Sequence, residues 1–157
     1  MAERRKPIAG DPPDEPDELM DADRQAAQFE RVRNAQQTEK AEDYVEMIDD
    51  LINAYGEARV TDLAQRFGVS HATVNKIIKR LQRDGLVTSR PYRSIFLTEQ
   101  GSALADASRK RHQIVLNFLR AIGVSARNAE LDAEGIEHYV SAETLAAFEK
   151  ITSEKDG

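Results

Sequence analysis

The chain has 157 residues, 40% of them hydrophobic and 32% charged, which suits one ordinary domain or two small ones sharing a core. No apolar run reaches bilayer-spanning length, no signal-peptide segment opens the chain, and the lack of cysteine excludes a disulfide framework, a thiolate metal site and a thiol switch. The net charge of −6 conceals an alternation that keeps a polyanionic partner in play: residues 41–58 and 125–157 are acidic, whereas residues 59–124 between them are basic.

Residues 1–20 hold Pro7, Pro12, Pro13 and Pro16 and few large apolar side chains, so a disordered acidic, proline-rich arm is expected. From Asp21 the pattern turns helical, with Asp21 or Asp23 as N-cap and no Gly or Pro before Gly56. That predicts one long helix, or two meeting near Thr38, with residues 21–40 as an N-terminal extension. Tyr44, Val45, Ile48, Leu51, Ile52 and Tyr55 form its buried stripe, and Asp43 and Glu46 lie three apart, off the stripe's centre.

Residues 60–67 then read as a short helix with Leu63, Ala64 and Phe67 inward. Gly68-Val69-Ser70 reads as a tight turn, and Ser70 caps a second helix over residues 71–83 with Val74, Ile77, Ile78 and Leu81 inward. Two short strands, 86–88 and 94–97, flank Arg90-Pro91-Tyr92-Arg93, a hairpin with a basic tip. A helix-turn-helix followed by such a hairpin is a winged helix, expected over residues 41–98. Its basic outer face makes double-stranded DNA the expected partner. His71, Ala72, Thr73 and Asn75 are placed to reach base edges, and Lys76, Lys79, Arg90 and Arg93 to reach phosphates or the minor groove.

A long helix over residues 98–121 carries His112 in a basic stretch, and Gly101 costs little so near its start. Gly123-Val124-Ser125 breaks it, and Ser125 caps the next helix. Continued through Asp132–Ser141, that helix sets Glu134, Glu137 and His138 at i, i+3 and i+4 on one face, opposite Ala129, Ala133, Ile136 and Val140. Like charges so clustered repel unless a cation lies among them, and oxygen ligands with an imidazole suit manganese or iron(II). A last helix, capped by Ser141, is expected to run to about Ile151 with Leu145 and Phe148 inward. The last helices have too few residues to close a core alone, so an interface with a second copy is expected, and residues 99–153 read as a helical metal-binding and dimerisation domain. The fold class is mainly α with a small β-hairpin wing: an N-terminal winged helix-turn-helix followed by an all-α dimerisation domain.

Glu42-Asp43-Tyr44-Val45-Glu46, Arg111-His112 and Asp132-Ala133-Glu134-Gly135-Ile136-Glu137-His138 resemble, in order and spacing, the manganese transport regulators, the manganese-sensing branch of the diphtheria-toxin-repressor family. The resemblance runs from about Ala41 to about Ile151. It implies a bacterial, cytoplasmic homodimer that binds a palindromic operator and represses manganese uptake when each subunit holds two Mn(2+) ions. It also implies Asp43, Glu46, His112, Glu134, Glu137 and His138 as the ligands. Iron-sensing relatives resemble this chain less, having a methionine at the position of Asp43 and a cysteine in the second acidic segment. Fe(2+) stays open as an alternative signal. Tyr139 stands where many manganese members have a second histidine, and the SH3-like domain of the iron-sensing relatives is not expected.

Two other classes fit parts of the pattern. One is a winged-helix regulator not controlled by metal, its acidic cluster only a dimer surface. The other is a metal-dependent hydrolase, against which stands the lack of any separate nucleophile or acid in the sequence. The expectation is a regulator, not an enzyme.

Overall fold

The computed structural model describes residues 19–90 and 93–157, so most of the expected disordered arm and the wing-tip residues Pro91 and Tyr92 lie outside it. Helix α1 (Ala22–Tyr55) is a single rod of 34 residues. Asp21 caps it by accepting from the Arg24 amide, and Gly56 ends it in the left-handed conformation. There is no break at Thr38, whose hydroxyl bonds back to the Asn34 carbonyl at 3.0 Å. Only the second half of α1 packs: Ala41, Tyr44, Val45, Ile48 and Leu51 are buried, while residues 22–34 are exposed along their whole length. Tyr55, expected inward, is exposed.

Helix α2 (Val60–Phe67) and helix α3 (His71–Arg83) form the helix-turn-helix, with Gly68 in the left-handed region between them and Ser70 accepting from the Thr73 amide. Tyr44 stacks on Phe67 with ring centroids 4.3 Å apart, fixing α2 to α1. The wing is shorter than expected. Strand β1 (Val87–Thr88) pairs antiparallel with β2 (Phe96–Leu97), Val87 opposite Leu97 and Thr88 opposite Phe96. Ile95 leaves that ladder to bridge Ala58, which ties the wing's return strand to the end of α1. Leu63, Val74, Leu81 and Ile95 close this core and are fully buried.

Helix α4 (Glu99–Ala121), capped by Thr98, crosses from this core to a second one. Gly101 is not merely tolerated near its start: a methyl group there would stand 2.0 Å from the Leu86 carbonyl oxygen. Backbone cannot retreat as a side-chain tip can, so Gly101→Ala should lower the unfolding free energy by about 2–3 kcal/mol, read from denaturant midpoints.

Helix α5 (Ala126–Ile136) is capped by Ser125 and helix α6 (Ala142–Asp156) by Ser141. Val115, Leu116, Leu119, Ala129 and Ala133 make the second core, and Phe118 stacks on Phe148 at 3.9 Å. Two sequence expectations are corrected. Helix α6 continues to Asp156 rather than about Ile151, since nothing in its sequence breaks it. Helix α5 ends at Ile136, with Glu137 as its cap, and His138 and Tyr139 lie in a turn closed by the Tyr139 amide on the Ile136 carbonyl. No residue of α6 is fully buried within one chain, and Ile122 and Leu131 remain half or more exposed, apolar surface suited to a second copy. No helix among the described residues is long and apolar enough to cross a membrane.

Candidate metal centre and nucleic-acid face

Helix α1 lies against α4 through a row of polar contacts. Arg109 donates to Asp49 at 2.6 Å and to Asp50 at 2.7 Å, the Ser108 hydroxyl donates to Glu46, and Arg111 donates to Glu42 at 2.9 Å. Glu42 is the pivot of the row. Its side chain is 3% exposed, and its second oxygen accepts from His138 Nδ1 at 2.7 Å. A carboxylate so buried is tolerated because an arginine and an imidazole satisfy both its oxygens.

The turn after α5 splits its two neighbouring ligand candidates between two groups. His138 Nε2 faces α1, 3.6 Å from Asp43, and one ligand atom each of Glu39, Asp43 and His138 falls within 4.8 Å of the others. Glu137 faces α4, with Oε2 2.9 Å from His112 Nδ1, and one ligand atom each of His112, Glu134 and Glu137 falls within 4.8 Å of the others, a second group. Glu137 Oε1 also lies 3.3 Å from His138 Nε2, so the two groups adjoin. The single helical face read from the sequence is therefore corrected: Glu134 and Glu137 stay with α5, while the turn takes His138 to the other group.

Of the six candidates, five are distributed over these two groups. Glu46 belongs to neither; its Oε1 accepts from the Ser108 hydroxyl, and its charge acts on both Asp43 and Glu137. The sequence reading missed Glu39, Glu42, Ser108 and Glu130, the last 3.3 Å from His112 Nε2. Glu39 was legible as the residue one turn before Asp43. The burial of Glu42 was not, since it depends on two partners far along the chain.

The electrostatics of these groups favour positive charge among them. Burial, reinforced by Glu39, Glu46 and Glu134 against the opposing pull of His138, raises the Asp43 carboxyl from 3.8 to about 6. Burial raises Glu137 from 4.5 to about 7, with Glu134 and Glu46 adding to it and His112 and His138 opposing. Burial pulls the His138 imidazole down, but its bond to Glu42 and the charges of Asp43 and Glu137 outweigh this and raise it. Glu137 Oε2, close to His112 but off the angle for a hydrogen bond, is buried with no hydrogen-bond partner. A divalent ion would meet that oxygen and relieve the repulsion, and the set of carboxylates and imidazoles fits manganese or iron(II).

A pH dependence follows from these shifts. All three groups bind protons more tightly folded than unfolded; the contribution of Asp43 and Glu137 is complete below pH about 4 and is lost as pH rises through about 6 and about 7, and that of His138 is lost only above its ordinary 6.5. Metal-free protein should thus lose stability from these groups between pH 4 and 8. Manganese affinity should move the opposite way, weakening severalfold to tenfold from pH 8 to pH 6 as Glu137 and Asp43 take up protons. Calorimetric titration at four pH values checks both the direction and the proton release.

The candidate nucleic-acid face is built from α3 and the wing. His71, Ala72, Thr73, Asn75, Lys76 and Lys79 are exposed on α3, and Arg90 and Arg93 are exposed on the wing. A cleft of about 670 Å³ between helix and wing is lined by His71, Asn75, Lys79, Arg90 and Arg93, together with Arg59 and Gln82, which the sequence reading did not select. Gln82 donates to the Ser89 carbonyl at 2.8 Å and so fixes the wing to α3. Arg80 is turned away and donates to the Gln37 carbonyl of α1 at 2.9 Å.

Residues 36–95 match the N-terminal DNA binding domain of the iron dependent repressor family, and residues 98–154 match its metal binding and dimerisation domain. The chain is 50% identical over 135 residues to the transcriptional regulator MntR of Escherichia coli, spanning 86% of this chain and 87% of that one. It is 39% identical over 104 residues to the HTH-type transcriptional regulator MntR of Geobacillus kaustophilus, 66% and 74% of the two chains. Among solved structures it is similar to the manganese regulator SloR, at 25% identity and a TM-score of 0.62, covering 72% of this chain and 53% of that one. A manganese-dependent transcriptional repressor in complex with manganese is 29% identical with a TM-score of 0.59, covering 72% and 52%. The chain spans about half the length of these solved repressors.

Proposed function

The chain belongs to the iron-dependent repressor family, and on that premise we propose that it is a manganese-responsive, DNA-binding transcriptional repressor of manganese uptake. The single observation that carries the metal reading is the split at Glu137 and His138: neighbours in sequence, they reach α4 and α1 respectively. In this reading each subunit holds two ions, with Asp43 and His138 at one, His112, Glu134 and Glu137 at the other, and Glu46 released from Ser108 to join them. Residues 41–98 are the DNA-binding part and residues 99–153 the metal-binding and dimerisation part of a cytoplasmic homodimer. Bound manganese would supply the positive charge that these carboxylates lack.

Without that charge the carboxylates of α1 and α5 repel across the junction of the two parts, and the orientation of α3 relative to the dimer axis broadens. With the charge balanced, α1, α4 and the turn after α5 are drawn together. Two copies of α3 must stand about 34 Å apart, or a multiple of it, to enter successive major grooves of a palindromic operator. The ligands need not touch DNA; they narrow the range of spacings.

The test is thermal unfolding of chelator-treated protein with added manganese, iron(II), zinc, magnesium or calcium. Manganese at a hundred times its dissociation constant should add about 2.7 kcal/mol, and magnesium little. No stabilisation by any of them would leave a winged-helix regulator outside metal control. Iron(II) takes the same donor set and is the second signal to compare.

For the DNA face, Lys79→Ala should weaken binding about equally across sequences and reduce the slope of log affinity against log salt by about one. Asn75→Ala should instead change which bases are preferred, and an unchanged preference in a binding-site selection would remove Asn75 from the reading residues.

A further inference from the structure

We propose that Glu39 is a further metal ligand of this chain, given from α1 to the ion held by Asp43 and His138, and that Tyr139 positions it. The inference rests on the metal-binding reading above and adds a residue to it. Glu39 and Asp43 stand one turn apart on α1, so their carboxylates project from the same face, and each offers an oxygen within 4.8 Å of the other and of a His138 ring nitrogen.

The second observation lies in His138 itself. Its side chain is 2% exposed, and Nδ1 meets Glu42 Oε2 at 2.7 Å. A proton on Nδ1 leaves a lone pair on Nε2, and the groups facing that lone pair, Asp43 at 3.6 Å and Glu137 at 3.3 Å, are carboxylate acceptors. Among these carboxylates the group at Nε2 is positive, a proton or a metal ion in its place, and an ion there is within reach of Glu39.

Tyr139 supplies the positioning. Its hydroxyl donates to Glu39 Oε2 at 2.8 Å, spanning from the turn after α5 to α1. One donated hydrogen bond uses a fraction of a carboxylate's acceptor capacity and leaves the rest for ligation. Glu39, not Glu46, is the α1 carboxylate that lies with Asp43 and His138 in this structure, so Glu39 adds to the group whether or not Glu46 turns from Ser108 to join it. Two carboxylates and one imidazole make an oxygen-rich set that suits manganese. Removing one carboxylate shifts the balance toward metals that prefer imidazole, such as zinc. Glu39 is therefore also a specificity-determining residue.

The experiment is titration of full-length wild type, Glu39→Ala and Tyr139→Phe with Mn(II), following the paramagnetic resonance signal of the free ion, with zinc titrated in parallel. Wild type should bind manganese. Glu39→Ala should lose at least tenfold in manganese affinity at one site while keeping the other, and lose less for zinc. Tyr139→Phe, which keeps the ligand and loses its orientation, should lose only severalfold, with metal-free melting temperatures matching in all three. Equal losses in the two variants would mean that the pair acts only as a tether and would overturn the ligand assignment. A wild-type isotherm in Glu39→Ala would overturn the inference alone and leave the metal reading standing. A wild type that binds no manganese would overturn both.

Discussion

Replacing Glu137 with glutamine is expected to move stability in opposite directions with and without manganese. At pH 8 the buried carboxylate is charged in the folded protein against its preference, its pKa raised to about 7 by burial and neighbouring carboxylates. Glutamine keeps the shape and removes the charge, so the metal-free variant should be more stable than wild type by about 1–3 kcal/mol at pH 8 and nearly equal to it at pH 5. With manganese the order reverses. A thousandfold loss of affinity at a concentration of one thousand dissociation constants would erase most of the roughly 4.1 kcal/mol that binding contributes, more than the removed charge returns. Parallel denaturant melts in chelator and in manganese read both signs. A variant less stable than wild type in both would assign Glu137 to the architecture instead of the ion.

Glu42→Ala should do the reverse and damage the metal-free fold. Glu42 is no ligand in this account; it is the acceptor for both Arg111 and His138, buried to 3% exposure. Its removal leaves a half-buried guanidinium, whose Nε already lacks a partner, and a buried imidazole with none of their former acceptor. Breaking a buried pair from one side typically costs about 3–5 kcal/mol, so a large loss in the denaturant midpoint is expected even in chelator. The His138 pKa should fall, because the hydrogen bond that opposes its burial is gone. A pH titration of the His138 ring by nuclear magnetic resonance reads that shift in whatever fraction stays folded, and Glu42→Gln, which retains an acceptor, should lose less. If Glu42→Ala melted like wild type, the Glu42 junction would not hold α1 to α4 and the turn.

Most of the fold was legible because its signals are local. Ser70, Ser125 and Ser141 announce helix starts through their own hydroxyls, Gly68 marks the turn, and the 3.6-residue stripe of α1 names its core residues. What the sequence hid depends on groups remote in the chain. Gly101 looked like a tolerated glycine until Leu86 was seen against it, and Tyr55 fell on the stripe but beyond the end of the core. The site divides the same way. Asp43, His112, Glu134, Glu137 and His138 were found by spacing and by resemblance, and they lie together in the fold. The engagement of Glu46 by Ser108, the burial of Glu42 and the turn that separates His138 from Glu137 were not, because each depends on where α4 falls against α1.

The overall acidity of the chain, which by itself argues against DNA, is explained by the same division. Glu42, Asp43 and Glu46 of one acidic block and Glu134 and Glu137 of the other meet at the junction of the two parts, and the exposed α3 and wing keep their basic residues for the phosphate backbone. Linkage requires that if the metal tightens DNA binding, DNA tightens metal binding by the same factor.

The most direct test is fluorescence anisotropy of a labelled promoter fragment from a manganese-uptake gene, titrated with chelator-treated protein and again with manganese or magnesium. Manganese should raise affinity about 5- to 150-fold, a coupling of about 1–3 kcal/mol, and magnesium should not. Equal affinity in chelator and in manganese would contradict it, leaving the winged helix as a DNA-binding module and the junction without a switch.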